Sequence, residues 1–302
     1  DMSYMFSGCN SLLSFYEPNF ITSNVINMKA LFLNSYSLTN INLSNFDTSS
    51  VINMRGLFNG CSNITSLDIN NFVTTKVTDM AGLFYDCKNL KHLNLSNFNT
   101  SLVTDMHSLF CDCIGLTSLD INNFDTSKVR DMSLFFRNCR SLLYLNLTNF
   151  DTSSVTNMAH MFFYCKSLTY LDLSSFNISL VESFSKIFYH CNNLEYINLN
   201  NSIERNNLDT SNMFSSENPI NLVVCTNINN TQIINSINQI KCSIIDCSDI
   251  WKKHQKKIIV GTQNCAIRCN EIENNKYEYE NKCYIKCPIG TYPNINNECE
   301  FR

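Results

Sequence analysis

Charge is sparse in this 302-residue sequence: 16% of residues are Asp, Glu, Lys or Arg, and the formal balance is -4. So weak and negative a field is unsuited to nucleic acid or anionic lipid, both of which reward concentrated positive charge. Glycine and proline are scarce, at 7 and 4, while 44% of residues are hydrophobic, so the chain is expected to fold rather than stay disordered. No uninterrupted apolar run approaches the roughly 18 residues of a membrane helix. No signal peptide is visible, and the sequence opens at Asp1 in mid-repeat, as expected of a piece of a longer chain. Any membrane attachment is then expected only through sequence outside it. Polarity comes mostly from Asn, Ser and Thr.

What is present is a repeat of one length. Met2, Met28, Met54, Met80, Met106, Met132 and Met158 stand 26 residues apart, and Phe6, Phe32, Phe58, Phe84, Phe110, Phe136, Phe162, Phe188 and Phe214 keep the same interval. Within one unit, Cys61 to Asp86, the residues Ile64, Leu67, Ile69 and Phe72 have the spacing LxxLxLxxF. Leu67 and Ile69 face one way and Asp68 the other, which predicts a short strand. Val77, Met80, Phe84 and Cys87 recur at three or four residues, which predicts a helical stub of about two turns, with Thr74 or Thr75 capping it. A strand plus a short helix per unit is the leucine-rich-repeat plan. The expected fold is an α/β solenoid of 26-residue units over residues 1–216, with parallel strands on the concave face and short helices on the convex face. Glu17 and Pro18 make the first strand imperfect, as suits a terminal unit. Residues 217–264 are expected to cap the last coil and connect to a small disulfide-rich module at 265–302.

Eight of the 16 cysteines lie among the repeats and eight crowd into the last part of the chain. Cys61, Cys87, Cys113, Cys139, Cys165 and Cys191 share one inward station that Ser35 fills once, so a small buried side chain explains them. Cys111 lies outside that register and is expected to be an exposed free thiol or a contact to another molecule. Cys225, Cys242, Cys247, Cys265, Cys269, Cys283, Cys287 and Cys299 lie where few large apolar residues can close a core, which favours disulfides over zinc. Their connectivity cannot be read from spacing.

Two outward stations offer a surface. One reads Asn42, Asp68, Asn94, Asp120, Asn146, Asp172 and Asn198; it is a solvated polar ladder or a hydrogen-bonding face, and carboxylates two coils apart cannot share a calcium ion. The preceding station reads Asn40, Ser66, His92, Ser118, Tyr144, Tyr170 and Tyr196, and its tyrosines combine area with a hydroxyl at low entropic cost. The candidate concave binding surface is therefore Tyr144, Tyr170, Tyr196, His92, Asn94, Asp120, Asn146, Asp172 and Asn198. Sequons begin at Asn42, Asn63, Asn94, Asn99, Asn146, Asn177, Asn200 and Asn229, and glycans on Asn42, Asn94 or Asn146 would cover that face. The basic run around Lys252, Lys253, Lys256 and Lys257 reads as a solvated face. His92, His107, His160, His190 and His254 have no Ser, Cys or carboxylate placed as a nucleophile-base arrangement, so neither catalysis nor a cofactor is expected.

The segments GCSNITSLDINNFVTTKVTDMAGLF and NCRSLLYLNLTNFDTSSVTNMAHMF resemble the BspA-like leucine-rich repeats over residues 1 to 216, and CYIKCPIGTY is similar to cysteine-rich modules of protist surface proteins. The persistent Cys at the unit start and the cysteine-rich tail depart from some bacterial members. The resemblance implies a secreted or cell-surface protein engaged in adhesion to protein or glycan, and it carries over no catalytic residue. An architectural subunit of a coat, filament or appendage, with homotypic or heterotypic assembly, is the other expectation.

Overall fold

The computed structural model describes residues 1–16, 19–215, 221–259, 264–275 and 277–301. Glu17, Pro18, the expected boundary at 216/217 and the His254 side chain lie outside the described residues. Short strands stack in parallel, one coil on the next: β1 (Ser14–Tyr16) on β2 (Asn40–Asn42), β3 (Ser66–Leu67) on β4 (His92–Leu93), and β5 (Tyr170–Asp172) on β6 (Tyr196–Leu199). Paired residues differ by the repeat length, as Phe15 with Ile41 and Leu171 with Ile197 show. Every like residue thus stands above its counterpart.

Among the described residues the predicted helical stubs are absent, and the backbone shows why. In the turn segment 54–61 the N–H groups alternate between two destinations. Met54, Gly56, Phe58 and Gly60 donate to Asp79, Ala81, Leu83 and Tyr85 in the following coil at 2.8–3.0 Å. Leu57, Asn59 and Cys61 donate three residues back, to Met54, Gly56 and Phe58, at 3.0–3.1 Å. A helix would keep all of these donors for its own i→i−4 bonds; here half of them tie the coils together. Left-handed backbone at Ala30, Gly56, Gly82, Ser108, Leu134, His160 and Lys186, with φ between 54 and 61°, recurs once per coil and rules out a continuous helix. The fold is therefore a parallel solenoid of strands and nested turns.

That reading fixes the sign of a substitution. In a helix, Ala→Gly costs about 1 kcal/mol. At the left-handed Ala30, φ 55°, glycine relieves a strain of about 1–2 kcal/mol, so Ala30→Gly is expected to leave stability unchanged or raise it. Urea unfolding of the two proteins measures this, and a loss near 1 kcal/mol would restore the helix.

Three polar columns turn the corners. Asn53, Asp79, Asp105 and Asp131 each accept the N–H two residues on through Oδ1, at 2.7–3.0 Å. Asp47, Asn99, Asp125 and Asp151 do the same at a second corner, at 2.9–3.0 Å. The third column ends the strands and is described below. Asn and Asp supply these turns where glycine is scarce. The Thr74 hydroxyl does not cap a helix. It is buried, donates to the Asn99 carbonyl at 2.9 Å and accepts the Asn99 N–H at 2.8 Å, and Thr22, Thr48 and Thr152 repeat this two-way bond.

The core is one cluster running through all coils. Its spine is a ladder of phenylalanines, Phe32, Phe58, Phe84, Phe110, Phe136, Phe162 and Phe188, stacked at 5.6–6.1 Å and nearly parallel. The repeat cysteines are buried thiols that donate to the carbonyl of a phenylalanine in the preceding coil, as Cys139 to Phe110 at 3.1 Å. Ser35 donates to Phe6 in the same way at 2.9 Å, which is why serine replaces cysteine there.

Burial pushes these thiols up, to about 12 at Cys61 and Cys191, from an ordinary value of 9.0. The native chain then holds protons that the unfolded chain releases between those values, so stability is full below pH 9 and falls as pH rises toward 12. Thermal midpoints are expected to be insensitive to these groups up to pH 9 and to decline above it, with a shallower decline in Cys61→Ser/Cys191→Ser. Equal declines in both proteins would show that the thiols are not the cause.

The sheet continues past the last perfect unit. β7 (Val223–Thr226) pairs in parallel with β6, and β8 (Ile244–Ile245) pairs with β7. Between them α1 (Thr231–Ile237) puts Ile233 and Ile237 into the core and keeps its N–H groups for bonds such as Ile234 to Asn230 at 2.9 Å. Its N-terminus is capped from the preceding coil: Glu204 accepts the N–H groups of Gln232 and Ile233 at 2.8 and 3.1 Å. Four disulfides, Cys225–Cys247, Cys242–Cys265, Cys269–Cys283 and Cys287–Cys299, hold the C-terminal region. The second of them joins the cap to small antiparallel pairings that include Tyr277–Tyr279 with Lys282–Tyr284.

Candidate functional site on the strand face

The parallel register sets the outward tyrosines on adjacent coils. Tyr170 and Tyr196 are register partners with rings stacked at 5.3 Å, and Tyr144 occupies the same station one coil earlier. Exposure falls along the row, from 62% at Tyr144 to 39% at Tyr170 and 6% at Tyr196. Tyr196 is covered by Trp251, which stacks on it at 4.7 Å and carries the Lys252 ammonium 5.4 Å from its own ring. An aromatic ladder of Tyr170, Tyr196 and Trp251 thus closes the C-terminal end, and the open part of the strip is Tyr144 and Tyr170. Burial, then Tyr170, Asp172, Asp246 and Asp249, pushes the Tyr196 phenol up to about 12 and keeps it protonated. His92 is exposed at the same station and pairs in register with Ser66.

The Asn/Asp column has a structural duty. Asn42, Asp68, Asn94, Asp120, Asn146, Asp172 and Asn198 each accept the N–H two residues on, at 3.0–3.2 Å, and so terminate each strand. Either residue offers the required Oδ1, which explains why the column tolerates both. Of the sequon asparagines, Asn146 is half-buried and the other seven are exposed. The Nδ2 of Asn94 donates to Asn70 at 2.8 Å. Among the described residues no group of His, Cys, Asp and Glu is arranged to hold a metal.

Two residues sit elsewhere than the sequence suggested. Cys111 is buried, at 0% exposure, where its thiol donates to Asp112 at 3.2 Å beside Arg137. Burial first, and then the Asp112 charge, pushes that thiol up to about 12. It is an internal packing residue and not an exposed thiol. His107 has a partner that spacing did not reveal: its Nδ1 lies 2.7 Å from Ser133 Oγ, and the Ser133 hydroxyl donates to Asp131 at 2.5 Å. The serine proton is directed at the carboxylate and not at the imidazole, opposite to the order in which a histidine base activates a serine.

Residues 1–119 and 112–227 match the family model described as "Mycoplasma protein of unknown function, DUF285". The chain belongs to this family of BspA-like leucine-rich repeats. A solved leucine-rich repeat protein from Bacteroides ovatus ATCC 8483 is similar at 17% identity over 81% of this chain and 86% of that one, with a TM-score of 0.24. No curated protein matches. The leucine-rich-repeat solenoid is typically a non-enzymatic fold, and its repeated coils suit a surface or binding protein. Four disulfides together with BspA-like repeats fit a secreted or cell-surface protein. Among the described residues no helix is long and apolar enough to cross a membrane.

Proposed function

We propose that this BspA-like protein is an extracellular adhesion or receptor-like protein that binds protein or glycan through the strand face around Tyr144 and Tyr170. The observation that carries the reading is the contrast within that face. The Asn/Asp column spends its Oδ1 atoms on the backbone, whereas Tyr170 on β5 and Tyr144 at the same station one coil earlier remain open, with the exposed Leu143 beside Tyr144 in sequence. Aromatic side chains fixed by their neighbours lose little entropy on binding. The repeat surface works by presentation and asks no chemistry of its residues.

Beads carrying the whole chain are expected to adhere to surfaces coated with extracellular-matrix proteins or with a glycan panel. Tyr144→Ala/Tyr170→Ala is expected to cut retention at least tenfold with no change in thermal midpoint, while Tyr16→Ala at the far end of the strand face leaves it unchanged. Equal retention of the double variant on a surface that holds the parent protein would remove this site. An architectural subunit is the second reading, favoured by the identical coils; a native mass showing obligate assemblies would support it over a monodisperse monomer.

A further inference from the structure

We infer that the turn face, at the coils carrying residues 137–190, is a binding site for an acidic polysaccharide, independent of the strand face. Charge pairing changes along that face. Toward the N-terminal half of that face Arg55 lies 3.6 and 3.1 Å from Asp79 and Asp105, and Lys88 lies 3.0 Å from Asp86, while Lys29 has no ion pair among the described residues and lies 5.7 Å from the Tyr4 ring centre. Arg137 is held 3.1 Å from Asp112. The next cations, Arg140, Lys166 and Lys186, have no ion pair among the described residues. Lys186 and Arg137 add to burial in lowering the affinity of His160 for a proton, a sign of a local positive field in a chain whose formal charge is -4.

Rings stand between these cations. Arg140 and Lys166 lie 5.6 and 5.2 Å from the Tyr164 ring centre, and Arg137 lies 5.5 Å from that of Phe163. Phe163 stacks on Tyr189 of the next coil at 5.5 Å, and Tyr164 meets His190 at 4.3 Å. The rings are half-buried and fixed, so Arg137, Arg140 and Lys166 gather over a rigid aromatic floor, with Lys186 near His160. A linear chain that repeats its negative charge once per unit follows such a row, and pyranose faces stack on aromatic rings. An extended acidic peptide places its same-side carboxylates about 7 Å apart, a poor match to coils stacked at the roughly 4.8 Å spacing of adjacent strands.

The test uses the whole chain with a size-defined heparin oligosaccharide as probe, titrated at low and at physiological salt. Saturable binding that weakens with salt is expected, with at least a tenfold loss in Arg140→Ser/Lys166→Ser/Lys186→Ser and a smaller loss in Tyr164→Leu, which keeps every charge. Lys252→Ser/Lys253→Ser and Tyr144→Ala/Tyr170→Ala are expected to bind as the parent does, which separates this site from the strand-face reading. All variants are compared at matched thermal midpoints. Absence of binding by the parent chain, unchanged binding by the triple variant, or equal affinity for polyglutamate or a single-stranded oligonucleotide would overturn the assignment.

Discussion

Phe110→Ala is expected to destabilise the chain by about 3–5 kcal/mol, the largest single effect in the array. Phe110 is fully buried and stacks on Phe84 at 5.6 Å and Phe136 at 5.7 Å, with Phe135 a further 5.6 Å contact. Those neighbours are themselves held by inter-coil bonds, such as Phe84 N–H to the Leu109 carbonyl at 3.1 Å, so the space left behind cannot close. Phe214 is only partly buried against the core and stacks on Phe188 at 5.6 Å, so Phe214→Ala is expected to cost clearly less. Urea unfolding of both variants checks the ratio. Equal small losses would mean that the ladder is not the spine of the core.

The second large effect belongs to a polar residue. Thr74→Val keeps shape but removes a buried hydroxyl that both donates to and accepts from the Asn99 backbone, leaving a part-buried carbonyl and amide without that partner. At the lower end of the roughly 1–3 kcal/mol per orphaned group, as suits part-buried groups, a loss of about 2 kcal/mol is expected. Thr74→Ser retains both bonds and loses one methyl, for about 1 kcal/mol. A helix cap would give a different pattern, with valine costing about 1 kcal/mol and serine nothing. Chemical denaturation of the three proteins distinguishes a rivet between coils from a cap on a helix.

The strand half of each unit was legible because alternation at Leu67, Asp68 and Ile69 reports directly which residue faces the core, and the structure buries the first and third. The turn half was misread for a related reason. Val77, Met80 and Phe84 are all buried, but spacing of three and four states only that a face is buried, and nested turns satisfy it as well as a helix does. A signal against the helix was present: Gly8, Asn34, Gly60, Asp86, Asp112 and Asn138 share one station, and all have positive φ. Residues that accept left-handed backbone, recurring once per unit beside a supposed helix, mark its turns.

The candidate site was legible where it depends on register alone. Stacking of Tyr170 on Tyr196 follows from the 26-residue interval. The cover that Trp251 gives Tyr196 does not, because Trp251 lies beyond the repeat and reaches the sheet through β7 and β8. The Asn/Asp column was visible as a pattern and its cause was not. Seven Oδ1 atoms each closing a turn make the choice between Asn and Asp one of surface charge and not of fold. Register alone sets Arg140 over Lys166 and Phe163 over Tyr189, but the cluster draws on four stations of the unit, and only the folded turn brings Tyr164 beside Arg140 and Lys166.

The most direct test of the account is hydroxyl-radical footprinting of the native material, read at three tyrosines before and after it adheres to a matrix-coated surface. The account predicts strong labelling of Tyr144, intermediate labelling of Tyr170 and protection of Tyr196 in the free protein, with Tyr144 and Tyr170 becoming protected on adhesion. Protection of Tyr144 before any target is added, or labelling that adhesion leaves unchanged, would contradict a strand face held open for binding.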